Sequence, residues 1–194
     1  MAETARAANA PAARRRPKLA GSELHLGSVA VSVLPPASRV SLRAPSASVP
    51  ALSEALGVEL PTRPKGSAAA AGRTALWLGP DEWLIIADEH DDMLAGVAGI
   101  EAVHSAVDVS HRSVAFAVSG ADAEPTLSAG CPQNLAIDAF SVGACSRTVL
   151  GKVEVVLYRT ASQAFRVECW RSFSDYVFGF LGEAARDAAA DRDR

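Results

Sequence analysis

The chain has 194 residues, 49% of them hydrophobic and 21% charged, with a formal net charge of −3. At this length about 70% of the extended chain's surface can be buried on folding, so a core forms without a metal or disulfide staple. The weakly acidic balance argues against a broad nucleic-acid footprint, which is concentrated and basic.

Residues 1–20 are Ala-rich, with Pro11, Pro17 and a basic cluster of Arg14, Arg15, Arg16 and Lys18. They have no periodic apolar face and read as a disordered N-terminal arm. No secretory apolar core follows the basic cluster, and no apolar run is long enough to span a bilayer. A cytoplasmic protein without membrane or nucleic-acid partners is expected. From Gly21 the pattern becomes regular. Leu24, Leu26, Val29, Val31 and Val33 alternate as in a strand over 21–34, stopped by Pro35-Pro36. A second extended piece includes Val40 and Leu42. Ser48 to Gly57 reads as a short helix with Ser48 as N-cap, Pro50 in the first turn and Gly57 at the end.

Residues 61–73 read as a loop. Ala75–Leu78 and Trp83–Ala87 are two apolar runs about the turn Gly79-Pro80-Asp81-Glu82. Trp77 and Trp83 bring large apolar surfaces, each with an indole N–H that needs an acceptor. Met93, Leu94 and Val97 are spaced as on a helix behind Asp91 and Asp92. A strand is expected over 101–109 with Val103, Val107 and Val109, and a stronger one over Val114–Val118. Ala123 and Leu127 belong to a short helix, and 131–143 is mostly loop.

Val149 to Leu157 reads as extended, Tyr158–Gln163 as a turn and Ala164–Trp170 as the returning strand. Ser172 and Asp175 form a capping-box pattern. Phe173, Tyr176, Val177, Phe180, Leu181, Ala184 and Ala185 then share one helical face, with Phe178 off it and aimed at a partner. The tail 187–194 is expected to fray. The fold class is α+β, one body over 21–186. Two related strand-strand-helix units, 74–98 and 149–186, repeat within it.

Chemistry-bearing patterns are sparse. His25, His90, His104 and His111 lack zinc-ligand spacing. Asp108-Val-Ser-His-Arg112 is the most polar group beside a strand and reads as a turn cap or contact before a proton-transfer pair. The three cysteines, Cys131, Cys145 and Cys169, are odd in number and widely spaced. They fit a reducing compartment better than a disulfide scaffold, and none has a base beside it in sequence. The glycines form no phosphate loop. No catalytic, cofactor-binding or metal-binding residue is assigned. The candidate interface residues are Cys131, Gln133, Asn134, Arg147, Trp170 and Phe178.

Five blocks carry a resemblance: Leu76-Trp-Leu-Gly-Pro-Asp-Glu-Trp-Leu84, Val107-Asp-Val-Ser-His-Arg112, Leu127-Ser-Ala-Gly-Cys-Pro132, Cys145-Ser-Arg-Thr148 and Trp170-Arg-Ser-Phe-Ser-Asp-Tyr176. In this order they resemble the gamma subunit family of bacterial heterotetrameric sarcosine oxidase, over most of 21–186. Gln133-Asn134-Leu135 stands where that family usually has Leu-Asp-Leu. The resemblance implies a folate-binding aminomethyltransferase-like fold. It also implies a noncatalytic structural role in a flavoenzyme that oxidises sarcosine to glycine, yielding hydrogen peroxide and formaldehyde or methylenetetrahydrofolate. By the same resemblance, alpha, beta and delta subunits are the partners, and FAD, FMN, NAD, zinc and tetrahydrofolate belong to them, with no cofactor on this chain. Two other readings stay open: a stand-alone folate-binding one-carbon protein, and a subunit of a related amine oxidase complex.

Overall fold

The computed structural model describes residues 19–192. The expected N-terminal arm lies outside the described residues except for Leu19 and Ala20. In chain order the strands and helices are β1 (Glu23–Leu26), β2 (Val29–Val33), β3 (Ala37–Arg43), α1 (Val49–Leu56), β4 (Ser67–Ala70), β5 (Arg73–Gly79), β6 (Glu82–Asp88), α2 (Met93–Val97), β7 (Ser105–Asp108), β8 (Ser113–Gly120), α3 (Ala123–Ser128), β9 (Cys145–Leu150), β10 (Val153–Ala161), β11 (Ala164–Trp170) and α4 (Ser174–Arg192). One antiparallel sheet runs β1-β2-β8-β11-β10-β9, and the other runs β4-β5-β6-β3-β7.

Two sequential modules build these sheets. The first is β3–α1–β4–β5–β6–α2 and the second is β8–α3–β9–β10–β11–α4. Each orders its strands the same way, β4-β5-β6-β3 and β9-β10-β11-β8. The expected strand-strand-helix repeat is therefore present and longer than the sequence showed, because each module also includes a strand and a helix upstream. β7 extends the first sheet beyond β3, and the β1–β2 hairpin extends the second beyond β8.

The layers follow from where apolar side chains point. Phe116, Phe165, Val167, Val155 and Leu157 of the six-stranded sheet pack with Leu127 of α3 and Val177 and Leu181 of α4. Leu42, Trp83 and Ile85 of the other sheet pack with Leu52 and Leu56 of α1 and Met93 and Val97 of α2. The inner faces meet through Leu76, Leu84, Ile86, Val109 and Cys145. β6 is apolar on both faces for this reason: Trp83, Ile85 and Ala87 face the helices, while Leu84 and Ile86 face the other sheet.

α1 carries Pro50 in its first turn and ends on Gly57 at φ +63, the left-handed cap that glycine favours. Its expected cap, Ser48, instead donates its hydroxyl to the Val103 carbonyl at 2.8 Å. α2 is capped by the Asp92 carboxylate, which accepts from the Ala95 amide at 3.1 Å.

The structure corrects several expectations. The strand expected over 21–34 folds into the β1–β2 hairpin at Gly27, φ +57. The one expected over 149–157 is likewise two strands, turning at Gly151, φ +60, where a Cβ would lie 2.4 Å from the Tyr176 hydroxyl. β10 runs on to Ala161 through the expected turn, and β4 occupies part of the expected 61–73 loop. Only 105–108 of the 101–109 stretch is a strand, and Val107 on it and Val103 before it are both exposed. Ser172 lies in a 3₁₀ turn, Arg171–Phe173. α4 starts at Ser174, whose hydroxyl donates to the Arg171 carbonyl at 2.9 Å. It stays helical to Arg192 where fraying was expected after Arg186.

Candidate functional site

The two sheets are tied by a buried ion cluster. Arg39 of β3 donates its Nε to Glu168 of β11 at 2.7 Å, across 129 residues of sequence. Arg166 donates its Nε to the other Glu168 oxygen, also at 2.7 Å. Arg39 is 2% exposed and Glu168 5%, so this pair is shielded from water. The alternation Phe165-Arg166-Val167-Glu168-Cys169 reads as a strand with a core face and a wet face. The wet face in fact abuts the second sheet, and the charges survive there because each carboxylate oxygen meets a guanidinium.

Beside this seam a cleft of about 260 Å³ opens between the sheets, with Glu82, Arg112, Arg147, Glu154 and Trp170 among its walls. The Gly79–Glu82 turn projects two carboxylates toward this end of the molecule. Glu82 accepts two bonds from Arg147 of β9, at 2.5 and 3.1 Å, and this fork is the main reason the Arg147 guanidinium titrates above its ordinary range. Asp81 accepts two from Arg43, at 3.0 and 3.1 Å. The turn is thus a clasp joining β9 to the hairpin. The Arg112 guanidinium sits 4.8 Å from the centroid of the Trp170 ring, a cation–π contact.

The six candidate interface residues separate. Cys131 is buried in the core, its Sγ 3.8 Å from the Thr148 hydroxyl, so its side chain packs within its own chain. Phe178 is half-buried and its ring stacks on Phe116, with centroids 6.0 Å apart. The expectation that it points away is corrected: Phe173 and Tyr176 are exposed, and Phe178 takes the inner place. Arg147 is committed to Glu82 of its own chain. Gln133 is half-buried and donates its amide to the Ser146 hydroxyl at 2.7 Å. Asn134 is exposed and accepts from the Ala136 amide. Trp170 is 48% exposed. Asn134 and Trp170 therefore remain as side chains presented to solvent.

The candidate chemistry is closed in the same way. All three cysteines are buried. Burial is the first cause that pushes the Cys145 and Cys169 thiols up to about 12, which leaves them protonated and poor nucleophiles at neutral pH. Asp108 accepts from the Ser110 amide at 2.7 Å, so the Asp108–Arg112 block holds a turn. Among the described residues no group of three or more His, Cys, Asp or Glu side chains is placed to hold a metal ion, and no helix is long and apolar enough to cross a membrane. Sequence reasoning missed Arg39, Arg166 and Glu168; the only signal was three charges within predicted strands.

The family model described as sarcosine oxidase, gamma subunit family, matches residues 41–188. The chain belongs to that family. It is 31% identical over 170 residues to sarcosine oxidase subunit gamma of Corynebacterium sp. (strain P-1), covering 85% of this chain and 84% of that one. It is 33% identical over 171 residues to the subunit gamma of an Arthrobacter species, covering 84% and 83%. Among solved structures, the backbone matches a chain of the heterotetrameric sarcosine oxidase from Corynebacterium sp. U-96 in complex with pyrrole 2-carboxylate. That match has a TM-score of 0.79 at 28% identity and covers 86% of this chain and 88% of that one. Aminomethyltransferase T of the glycine cleavage system from Bartonella henselae matches with a TM-score of 0.61 at 15% identity, over 84% of this chain and 50% of that one. That likeness shows the fold alone, and it bears out the α+β, aminomethyltransferase-like expectation. In this chain Arg39, Arg166, Glu168, Glu82 and Arg147 are engaged in holding the two-sheet frame together.

Proposed function

We propose that this chain is a noncatalytic structural subunit of a heterotetrameric sarcosine oxidase. It would bury surface on alpha, beta and delta subunits and hold them in register, while those subunits carry FAD, FMN, NAD, zinc and the tetrahydrofolate site. The assembled enzyme oxidises sarcosine to glycine, with hydrogen peroxide and formaldehyde or methylenetetrahydrofolate as the other products. The carrying observation is the near full-length backbone match to a chain of a solved heterotetrameric sarcosine oxidase. The protonated buried thiols and the internal pairing of Glu82, Arg147, Arg39 and Glu168 support it, because groups spent on the frame are not free to move protons or electrons in a substrate.

The test is co-expression with alpha, beta and delta chains, then size-exclusion chromatography with subunit masses and the flavin spectrum of the peak. The expected result is stoichiometric migration in a yellow, sarcosine-oxidising peak and a colourless isolated chain. A chain that stays out of that peak overturns the reading, as does flavin bound by the chain alone.

A further inference from the structure

The backbone crosses between the sheets at Pro35–Pro36, from β2 to β3, and again at the 3₁₀ turn Ser110–Arg112, from β7 to β8. The two crossings converge with the turn that follows β11. Together they wall a recess of about 70 Å³ lined by Pro35, Pro36, Arg39, His111 and Arg171, among others. Two prolines make one wall rigid. Arg39 spends its Nε on Glu168 and its Nη1 on the Ala37 carbonyl at 3.0 Å, which leaves the far edge of a buried guanidinium at the recess.

The charges around it do not balance. Arg39, Arg166, Arg171 and Arg112 stand against Glu168, whose two oxygens are already taken by Arg39 and Arg166. Asp108 lies along this turn and keeps its charge while accepting from the Ser110 amide, so that with it counted four guanidiniums stand against two carboxylates. Next to the recess lies an exposed aromatic shelf. Trp170 is 48% exposed and Phe173 42%, their rings stacked with centroids 6.3 Å apart, and Arg112 steadies the indole. A rigid aromatic and arginine cluster beside a recess is the composition of an interface anchor, and a guanidinium takes a carboxylate in a two-bond fork.

We propose that this surface docks another subunit of the oxidase through an acidic side chain. The carboxylate enters the recess and pairs with Arg39 and Arg171, while an apolar neighbour in the same segment covers Trp170 and Phe173. A protein segment is favoured over a free small carboxylate because such a ligand fills the recess and leaves the adjoining rings wet. This inference rests on the assembly reading above.

The test compares full-length wild type, R171E, W170A and R63E, each co-expressed with the partner subunits. Arg63 lies on the exposed loop before β4, beside the 131–143 segment. The expected result is at least a tenfold loss of affinity for R171E and W170A, wild-type affinity for R63E, and unchanged thermal unfolding of each isolated chain, since both residues are exposed. Hydrogen exchange should slow on assembly at 37–40 and 110–113. Affinities of R171E and W170A within twofold of wild type overturn the proposal, and so does unchanged exchange at both segments. Stabilisation of the isolated wild type by sodium acetate over sodium chloride at equal ionic strength, lost in R171E with assembly intact, assigns the recess to a free carboxylate and also overturns it. If the wild-type chain itself stays out of the flavin peak, the assembly reading has failed first.

Discussion

Replacing Glu168 by Gln keeps the shape of the inter-sheet cluster and removes its only anion. Arg39 is left 2% exposed with no counter-charge, and Arg166 loses the same partner. Breaking a buried pair from one side costs about 3–5 kcal/mol, since the remaining charge stays out of water. The Gln carbonyl still accepts one of the two bonds, so the lower end, about 3 kcal/mol, is expected. For a chain of this size that lowers Tm by about 6–12 °C. Arg39→Met is the informative comparison. It removes the deeper cation but leaves Glu168 paired with Arg166, which is partly exposed, so the expected cost is only about 1–2 kcal/mol. Thermal and urea unfolding of the isolated chain, followed by circular dichroism, measures both. The reasoning is refuted if R39M costs as much as E168Q, or if E168Q lies within 1 kcal/mol of wild type.

The two tryptophans of the central hairpin should respond differently. Trp83 is 1% exposed and donates its indole N–H to the Pro61 carbonyl at 2.8 Å, so W83F should cost about 2–3 kcal/mol in urea unfolding. Trp77 buries its indole nitrogen without an acceptor, so W77F should stay within about 1 kcal/mol of wild type. The Asp91 carboxylate accepts two bonds from Arg73, at 2.6 and 2.7 Å, and that fork is the first cause holding Asp91 below its ordinary 3.8. A depressed folded value stabilises above the unfolded one and is lost as pH falls through the folded one. D91N should therefore cost about 1 kcal/mol at neutral pH, and its unfolding midpoint should approach that of wild type as pH falls below 3.8.

The order of secondary structure was legible wherever apolar period and punctuation agreed. Ala75–Leu78 and Trp83–Ala87 around Gly-Pro became β5 and β6, and the repeat of strands followed by a helix marked both modules. The misread boundaries share a cause. At Gly27 the alternation slips phase, from Leu24 and Leu26 to Val29, Val31 and Val33, while across Gly151 the phase of Val149 and Val153 is kept; at both, a left-handed glycine turns one apolar stretch into two strands. On α4 the periodicity placed Phe173 and Tyr176 inside and Phe178 outside. The stripe itself stays as read, through Val177, Leu181 and Ala185; Phe173 falls in the 3₁₀ turn before the helix, and Phe178, three residues before Leu181, borders the stripe closely enough for its ring to reach Phe116. Of the candidate interface, Trp170 and Asn134 emerged on the surface, whereas Cys131 and Phe178 were drawn inward by packing that no local pattern encodes.

By itself the sequence determined the α+β class, the family through five ordered blocks, and the pairing of β5 with β6 and of β10 with β11, because a hairpin whose turn is marked in composition is written in residues close along the chain. The tertiary structure alone decided which polar residues meet. Arg39 and Glu168 lie 129 residues apart, and Arg147 reaches Glu82 from 65 residues away. A strand's alternation distinguishes its two faces but not whether the polar face meets water or a second sheet. That depends on how the modules stack, and stacking is set by side chains distributed over the whole chain.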